Sequence, residues 1–187
     1  MRYIYNMNAF RKFLSAAWEI LEVVFIAVVT VFIIRSFLVQ PFLVSGASME
    51  PNFKDGNYLL VDEITYRFRE PLRGEVVIFR YPLDPSTFFI KRIIGLPGER
   101  VVSQNGQIRI FSDGQEIFLD EEYLLSRSVD NFDSKLGEDK YFVLGDNRNH
   151  SFDSRNWGAV SRKDIVGMAR LRILPLRDFG LFEAPSY

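Results

Sequence analysis

The sequence predicts a mainly β fold, an antiparallel barrel or sandwich, joined to one N-terminal transmembrane helix. Near the N-terminus, Val23 to Ile34 form a run of 12 uncharged and mostly apolar residues. After residue 40, apolar residues instead occur in short runs of strand length, separated by Gly, Pro, Asn and Asp. No long stretch beyond that point keeps the 3.6-residue periodicity of an amphipathic helix, so we expect the remainder to consist of short strands.

The N-terminal apolar run needs extension before it can cross a bilayer, since a spanning helix takes about 20 residues. Residues 13–38 are long enough but include Glu19 and Glu22, which lie three apart and therefore on one helical face. We interpret residues 13–38 as a transmembrane anchor. A cleaved secretory signal is an alternative, but large residues follow Arg35 where a small-residue cleavage site would be needed. A buried or interfacial amphipathic helix also stays open, because the uncharged core is short.

Basic residues on either side of the anchor predict its orientation. Three of them lie within the first 12 positions, whereas only Arg35 lies close to the far end of the apolar run. By the positive-inside rule, residues 1–12 are cytoplasmic. Residues 39–187 then form an extracytoplasmic β-rich domain on the outer face of the cell membrane.

Eight runs after residue 40 have the length and residue types of strands. They are Phe42–Val44, Tyr58–Val61, Glu75–Tyr81, Phe88–Ile94, Glu99–Ser103, Gln107–Phe111, Tyr141–Leu144 and Val166–Leu174. Asn105-Gly106 lies between two of them and predicts a type I′ hairpin turn, and Asp113-Gly114 is a second turn candidate. Residues 120–140 are acidic and polar, which favours a surface loop or insertion.

Composition excludes several kinds of site. Cysteine is absent, which removes disulfides, thiolate–zinc sites, iron–sulfur clusters and a Cys nucleophile. His150 is the only histidine, so a Ser-His-Asp triad would have to use it, and most His-based metal sites are excluded. The 23 basic and 24 acidic residues nearly balance, without a basic stripe for nucleic acid. We expect no metal and no nucleic-acid partner.

Two stretches contain a possible nucleophile and a possible base. Small residues surround Ser48 in Val44-Ser-Gly-Ala-Ser-Met-Glu-Pro51, so another backbone can approach it, although an ordinary Ser/Gly turn has the same composition. Lys91 lies among apolar residues in Phe88-Phe-Ile-Lys-Arg-Ile-Ile94. Burial there would lower its pKa and make it a general base. Strand alternation does not decide whether Lys91 or Arg92 faces inward, so an exposed lysine stays open.

A third stretch, Gly145-Asp-Asn-Arg-Asn-His-Ser-Phe-Asp-Ser-Arg155, is dense in short polar side chains directly after an apolar run. Asp153 and Arg155 are suited to an ion pair that braces a loop. Ser151 could hydrogen-bond a neighbouring catalytic group. A Ca²⁺ loop using Asp146 and Asp153 is disfavoured, because the spacing matches no EF-hand pattern.

The order and joint occurrence of these stretches resemble the signature boxes of bacterial type I signal peptidases. The similarity covers the boxes around Ser48 and at 145–155, together with Arg73-Gly-Glu-Val-Val-Ile-Phe79 and Lys91-Arg-Ile-Ile-Gly-Leu-Pro-Gly-Glu-Arg100. The resemblance implies a membrane-bound serine endopeptidase that removes N-terminal signal peptides from exported precursor proteins. Such enzymes cut after small residues of the Ala-x-Ala type. It also implies an antiparallel β catalytic domain whose apolar surface rests on the lipid bilayer, without metal or cofactor.

The family's residue roles transfer to matching positions of this sequence. Ser48 corresponds to the nucleophile and Lys91 to the lysine general base. Ser151 corresponds to a serine that hydrogen-bonds and orients that lysine. Asp153 and Arg155 correspond to a pair that holds the wall of the active site together.

This sequence departs from the family pattern at Gly46, where some members have a serine whose hydroxyl helps to form the oxyanion hole. The backbone N–H of Ser48 is the donor that remains, and loss of one such donor can cost about 10²–10³ in rate. His150 falls at a variable position and is expected to have no catalytic role. We expect four apolar side chains near the first two boxes to narrow the substrate pockets: Val44, Met49, Phe53 and Ile90.

Two other classes of protein compete with this interpretation. A self-cleaving Ser–Lys regulator related to bacterial damage-response repressors would carry a DNA-binding module, but the N-terminus has no helix-turn-helix pattern. A non-catalytic membrane-anchored β-domain that binds peptides or partner proteins would not need Ser48 beside Lys91. The distance between these two side chains discriminates, because hydrogen-bond reach favours the enzyme.

Overall fold

The N-terminal part of the chain is one long helix. This computed structural model describes residues 2–37, 39–185 and 187, and helix α1 runs from Arg2 to Phe37. Its segment Lys12–Phe32 is long and apolar enough to cross a bilayer, since 21 helical residues span about 30 Å. Positions 1 and 38, the predicted first residue of the cytoplasmic segment and last residue of the anchor, lie outside the described residues.

Two compact units divide the chain, Met1–Val39 and Gln40–Tyr187, and the second consists mainly of strands. Within the described residues, the larger sheet has eight strands: β1 (Val39–Leu43), β2 (Tyr58–Asp62), β3 (Val76–Tyr81), β4 (Asp84–Gly95), β9 (Lys140–Leu144), β10 (Val160–Ser161), β11 (Ile165–Leu174) and β12 (Gly180–Leu181). The smaller sheet has four: β5 (Arg100–Gln104), β6 (Gln107–Ser112), β7 (Gln115–Phe118) and β8 (Phe132–Lys135). Short helices α2 (Thr65–Phe68) and α3 (Ser154–Trp157) and three 3-10 turns, Arg148–His150, Arg162–Asp164 and Leu176–Asp178, connect them.

Strand order in the larger sheet is β1-β2-β11-β3-β4-β9-β10, with β12 beside β11, and in the smaller sheet β7-β6-β5-β8. Every pairing whose register is resolved among the described residues is antiparallel. The predicted class, mainly antiparallel β with one N-terminal helix, is therefore confirmed. Each of the eight predicted strands overlaps an observed one, whereas the short strands β7, β8, β10 and β12 were not predicted.

Both predicted turns form hairpins. Asn105 and Gly106 have φ of 51° and 78° between β5 and β6, and Asp113 and Gly114 have φ of 50° and 76° between β6 and β7. Positive φ at both central residues is the requirement of a type I′ turn, which Asn-Gly and Asp-Gly meet at low steric cost. The two turns join β5, β6 and β7 into a meander.

The prediction of a surface loop at 120–140 is wrong in part. Strand β8 pairs with β5, with Lys135 opposite Arg100. Glu121 and Leu136 are buried. The acidic composition of the segment suggested a solvated loop, but one of its carboxylates, that of Glu121, is buried in an ion pair with Arg148.

Three clusters of buried apolar side chains form the core of the β unit. The first lies on the larger sheet around Phe79, and the second, around Ile110, contains residues of both sheets. The third supports the loop between β1 and β2 and contains Val44, Met49, Phe53, Leu59, Val76 and Ala169. This third cluster holds Ser48 against the larger sheet, because its neighbour Met49 is fully buried there.

Candidate active site

The loop after β1 presents Ser48. The backbone N–H of Val44 donates to the carbonyl of Asn57 at 2.9 Å, which closes the loop at its base. Gly46 has a φ of +88°, a conformation that side-chain-bearing residues rarely adopt, and its N–H donates to Asp55 Oδ1 at 2.8 Å. A serine is disfavoured at this position by the backbone itself. Glycine adopts this conformation at low cost.

Lys91 reaches the hydroxyl of Ser48. Its Nζ lies 2.7 Å from Ser48 Oγ and also donates to the carbonyl of Ile90 at 3.0 Å. The two residues are 43 positions apart and come from different elements, since Ser48 follows β1 and Lys91 lies on β4. This separation is within the range in which an amine can take a proton from an alcohol.

The surroundings of Lys91 favour its neutral form. Only 4% of the residue is exposed, and burial lowers the pKa of Lys91 from an ordinary 10.5 to about 8. The carboxylates of Asp153 and Asp146 oppose this lowering of the pKa, and the guanidinium of Arg155 adds to it. Because desolvation outweighs the nearby negative charge, an appreciable fraction of Lys91 is deprotonated near neutral pH.

Lys91 and its neighbour Arg92 are both buried. Strand alternation predicted that only one of the two would face inward, and the structure shows that both do. Strand β4 pairs with β3 along residues 84–92, but its pairing with β9 begins only at Arg92. Arg92 enters an ion pair with Asp146, whose two oxygens accept from Nε at 2.8 Å and Nη2 at 2.6 Å. Both faces of β4 are covered here, and each buried cation has its own partner.

The loop at residues 145–155 joins the nucleophile from the other side. The backbone N–H of Asn147 donates to the carbonyl of Ser48 at 3.0 Å. A Cβ on Gly145 would lie 2.5 Å from that same carbonyl, so only glycine permits this approach. The loop is fixed directly to the backbone of the nucleophile.

The predicted ion pair between Asp153 and Arg155 is present. Arg155 binds the carboxylate with both Nε and Nη2, each at 2.8 Å, and its Nη2 also donates to the carbonyl of Arg148 at 2.7 Å. Asp153 is fully buried, accepts from the N–H of Gly145 at 3.0 Å and caps α3. The pair braces the 145–155 loop, as the sequence predicts.

The hydrogen bond expected from Ser151 to Lys91 is not formed among the described residues. The Ser151 hydroxyl is buried without a hydrogen-bond partner, and it lies against Gly145, where an added Cβ would come within 2.2 Å of it. Lys91 Nζ is directed instead at Ser48 and at the carbonyl of Ile90. The structure brings Ser151 to the loop beside the dyad but does not orient it toward the lysine.

A cleft of about 350 Å³ adjoins Ser48 and Lys91. Two of the four predicted pocket residues, Val44 and Ile90, line it. The other two, Met49 and Phe53, are fully buried in the cluster beneath the loop and do not line the cleft, so their prediction as pocket residues is corrected. Further lining side chains that the sequence did not single out are Phe42, Leu59, Ile78, Phe89 and Phe152.

His150 also lines this cleft, although we predicted from the sequence only that it lies in a loop. It is exposed, and its Nδ1 lies 3.2 Å from Asn147 Oδ1. The signal that could have found further lining residues is sequence position. Phe89 and Phe152 lie inside the stretches that contain Lys91 and residues 145–155, and Phe42 lies two residues before the stretch that contains Ser48.

Comparison of the chain with known proteins identifies a family of peptidases, in agreement with the contact between Ser48 and Lys91. The profile of the family described as signal peptidase, peptidase S26, matches residues 17–174. The chain belongs to the signal peptidase family. Its activity is the removal of signal peptides, so neither a non-catalytic binder nor a DNA-binding regulator describes it. The apolar helix at the N-terminus fits a membrane-anchored signal peptidase.

Three curated signal peptidases illustrate the similarity. The probable signal peptidase I-2 of Synechocystis is 39% identical over 145 residues, which cover 74% of this chain and 64% of that protein. Signal peptidase I of Leptolyngbya laminosa is 39% identical over 154 residues, covering 77% and 73%. Signal peptidase I V of Bacillus subtilis is 38% identical over 140 residues, covering 67% and 80%.

Proposed function

We propose that this signal peptidase cuts its precursors with Ser48 as nucleophile and Lys91 as general base. The observation that carries the proposal is the 2.7 Å contact between Lys91 Nζ and Ser48 Oγ in a buried setting. Neutral Lys91 takes the hydroxyl proton as Ser48 Oγ attacks the scissile carbonyl carbon, and the backbone N–H of Ser48 meets the developing oxyanion.

The remaining steps return the enzyme to its starting state. Protonated Lys91 gives its proton to the leaving amine as the peptide bond breaks, which leaves an ester on Ser48. Water then attacks this ester with Lys91 again as base, the ester bond breaks, and Lys91 returns the proton to Ser48 Oγ as the signal peptide leaves. Asp153 and Arg155 support the wall of the site through their ion pair.

We place residues 1–12 in the cytoplasm, residues 13–38 in the bilayer and residues 39–187 on the outer face of the cell membrane. The distribution of basic residues around the apolar segment supports this orientation. It delivers the dyad to the side of the membrane on which exported precursors emerge. The lipid bilayer and the precursors are the partners of the enzyme, and the chemistry requires neither metal nor cofactor.

The rate of cleavage should increase with pH. Because the pKa of Lys91 is about 8 and only the neutral amine can accept the proton, kcat/KM will rise with pH through that value and then level off. About tenfold is expected between pH 7 and pH 9. The measurement is the initial rate against pH at low precursor concentration. A rate that falls over this range would contradict a lysine base.

The test of the proposed function is cleavage of a membrane-reconstituted precursor with an Ala-x-Ala site. We expect one cut, directly after the second Ala, because the resemblance to type I signal peptidases implies cleavage after small residues and an apolar cleft adjoins the dyad. A matched precursor with Phe in place of that second Ala should be cut at least about 100-fold more slowly. Mass spectrometry of the products locates the cut, and membranes without the enzyme set the background. Equal cleavage of both precursors would contradict the assignment of a small-residue site.

A further inference from the structure

An acidic segment that takes no part in the proposed chemistry contacts the 145–155 loop at several points. We name residues 119–131, between β7 and β8, the clamp segment. Its side-chain bonds to the loop are Glu121 to Arg148, Ser126 to Asn149 at 3.3 Å and Asp130 to Arg155 at 2.7 Å. The segment is therefore attached to the loop at both ends and in the middle.

The bond between Glu121 and Arg148 is the buried one of these contacts. Glu121 is 3% exposed and Arg148 is 4% exposed. Both terminal nitrogens of Arg148 donate to the carboxylate, Nη1 to Oε2 at 3.0 Å and Nη2 to Oε1. The hydroxyl of Tyr123 donates to Glu121 Oε1 at 2.9 Å and fixes the carboxylate further. A two-point pair of this kind fixes orientation as well as charge.

Arg148 transmits this contact to the nucleophile. Its Nε donates to the carbonyl of Gly145 at 3.1 Å, so the guanidinium holds the first residue of the loop. Gly145 packs against the carbonyl of Ser48 so closely that a Cβ would lie 2.5 Å from it. Any displacement of Gly145 is therefore passed to Ser48, whose hydroxyl must stay within reach of Lys91.

Removal of the Glu121 charge would leave a buried guanidinium unpaired. The carboxylate of Asp146, which already holds Arg92, also attracts Arg148. Arg148 would be drawn away from Gly145 toward this carboxylate. The same carboxylate helps to keep a proton on Lys91, together with Asp153 and against Arg155.

We propose that Glu121 is a positioning residue for cleavage, which acts through Arg148 to hold Gly145 and Ser48 in register with Lys91. The role of the clamp segment is then to fix the catalytic geometry from outside the cleft. Misplacement of reacting groups by about 1 Å can cost about 100-fold in rate. The inference rests on the proposed Ser48–Lys91 mechanism.

The experiment measures kcat and KM of the full-length, membrane-reconstituted enzyme on the Ala-x-Ala precursor. Glu121→Gln should lower kcat roughly 10- to 100-fold with KM nearly unchanged, since the cleft residues are untouched. Its pH–rate profile should move to lower pH by roughly half a unit, because the freed charge of Arg148 offsets Asp146. Glu122→Gln is the matched control, because Glu122 is exposed, and it should behave as the wild type.

Two further variants make the result decisive. If Glu121 acts through Arg148, the double variant Glu121→Gln/Arg148→Gln should have about the same kcat as Glu121→Gln alone, because both changes break the same link to Gly145. If Glu121→Gln does not fold, Glu121→Asp, which keeps the charge but shortens its reach, should show a smaller loss of kcat with an unshifted pH–rate profile. A lower melting temperature with unchanged kcat and pH profile would overturn the inference. A wild-type enzyme that cuts nothing would instead overturn the proposed function.

Discussion

Replacing Ser48 with Ala or Lys91 with Met should each lower kcat/KM for a precursor by roughly 10⁴-fold or more. Ser48→Ala removes the atom that attacks the carbonyl. Lys91→Met keeps the length and packing of the side chain but removes the amine that lies 2.7 Å from Ser48 Oγ. The assay is precursor cleavage under single-turnover conditions, together with circular dichroism to show that each variant is folded.

The double variant should be no slower than either single variant, because the two groups act as one unit and the loss of either one stops the reaction. Lys163→Met is a matched control, since Lys163 is exposed, and it should retain wild-type activity. Near-full activity in folded Lys91→Met would exclude a lysine base, even if Ser48→Ala were inactive.

Asp146→Ala should reduce the free energy of unfolding by about 3–5 kcal/mol. Asp146 is 1% exposed and binds Arg92, which is 5% exposed, and its Oδ2 also accepts from Asn52 at 2.8 Å. Without the carboxylate, the guanidinium of Arg92 stays buried without a counter-charge, and its desolvation is no longer offset. The measurement is denaturant unfolding of the detergent-solubilised full chain, followed by tryptophan fluorescence.

Asp133→Ala provides the comparison for this effect. Asp133 also pairs with an arginine, Arg100, but the two side chains are 50% and 54% exposed. We expect a much smaller loss of stability than for Asp146→Ala, because water replaces an exposed partner. Similar losses for the two variants would mean that burial does not govern the strength of these pairs in this protein.

The sequence predicted the main strands and hairpins because their signals are local. Asn105-Gly106 specifies its turn through φ alone, and the long apolar runs specify β2, β3, β4 and β11. Strand β8 escaped prediction because its residues, Phe-Asp-Ser-Lys, become a strand only by pairing with β5. The composition of two distant segments does not show whether they will pair as strands.

The site residues that belong to recognisable motifs could be predicted from the sequence. Ser48, Lys91 and the Asp153–Arg155 pair could be selected from their boxes, whereas the burial of Met49 could not. Alternation treats a strand as having one inner face, but β4 is covered on both faces, which is why Arg92 is buried together with Lys91. The contact of Glu121 with the 145–155 loop depends on tertiary structure and has no local signal.

Burial of Lys91 also couples the stability of the domain to proton binding. Its pKa is about 8 in the folded chain, against an ordinary 10.5, so between these values the unfolded chain binds more protons. As far as Lys91 is concerned, unfolding becomes less favourable as pH rises through this window, and below pH 8 the full penalty of about 3 kcal/mol applies. Neutral Lys91 is therefore both the form that can act as a base and the form that destabilises the fold least. Catalysis and stability are both favoured on the alkaline side of neutrality.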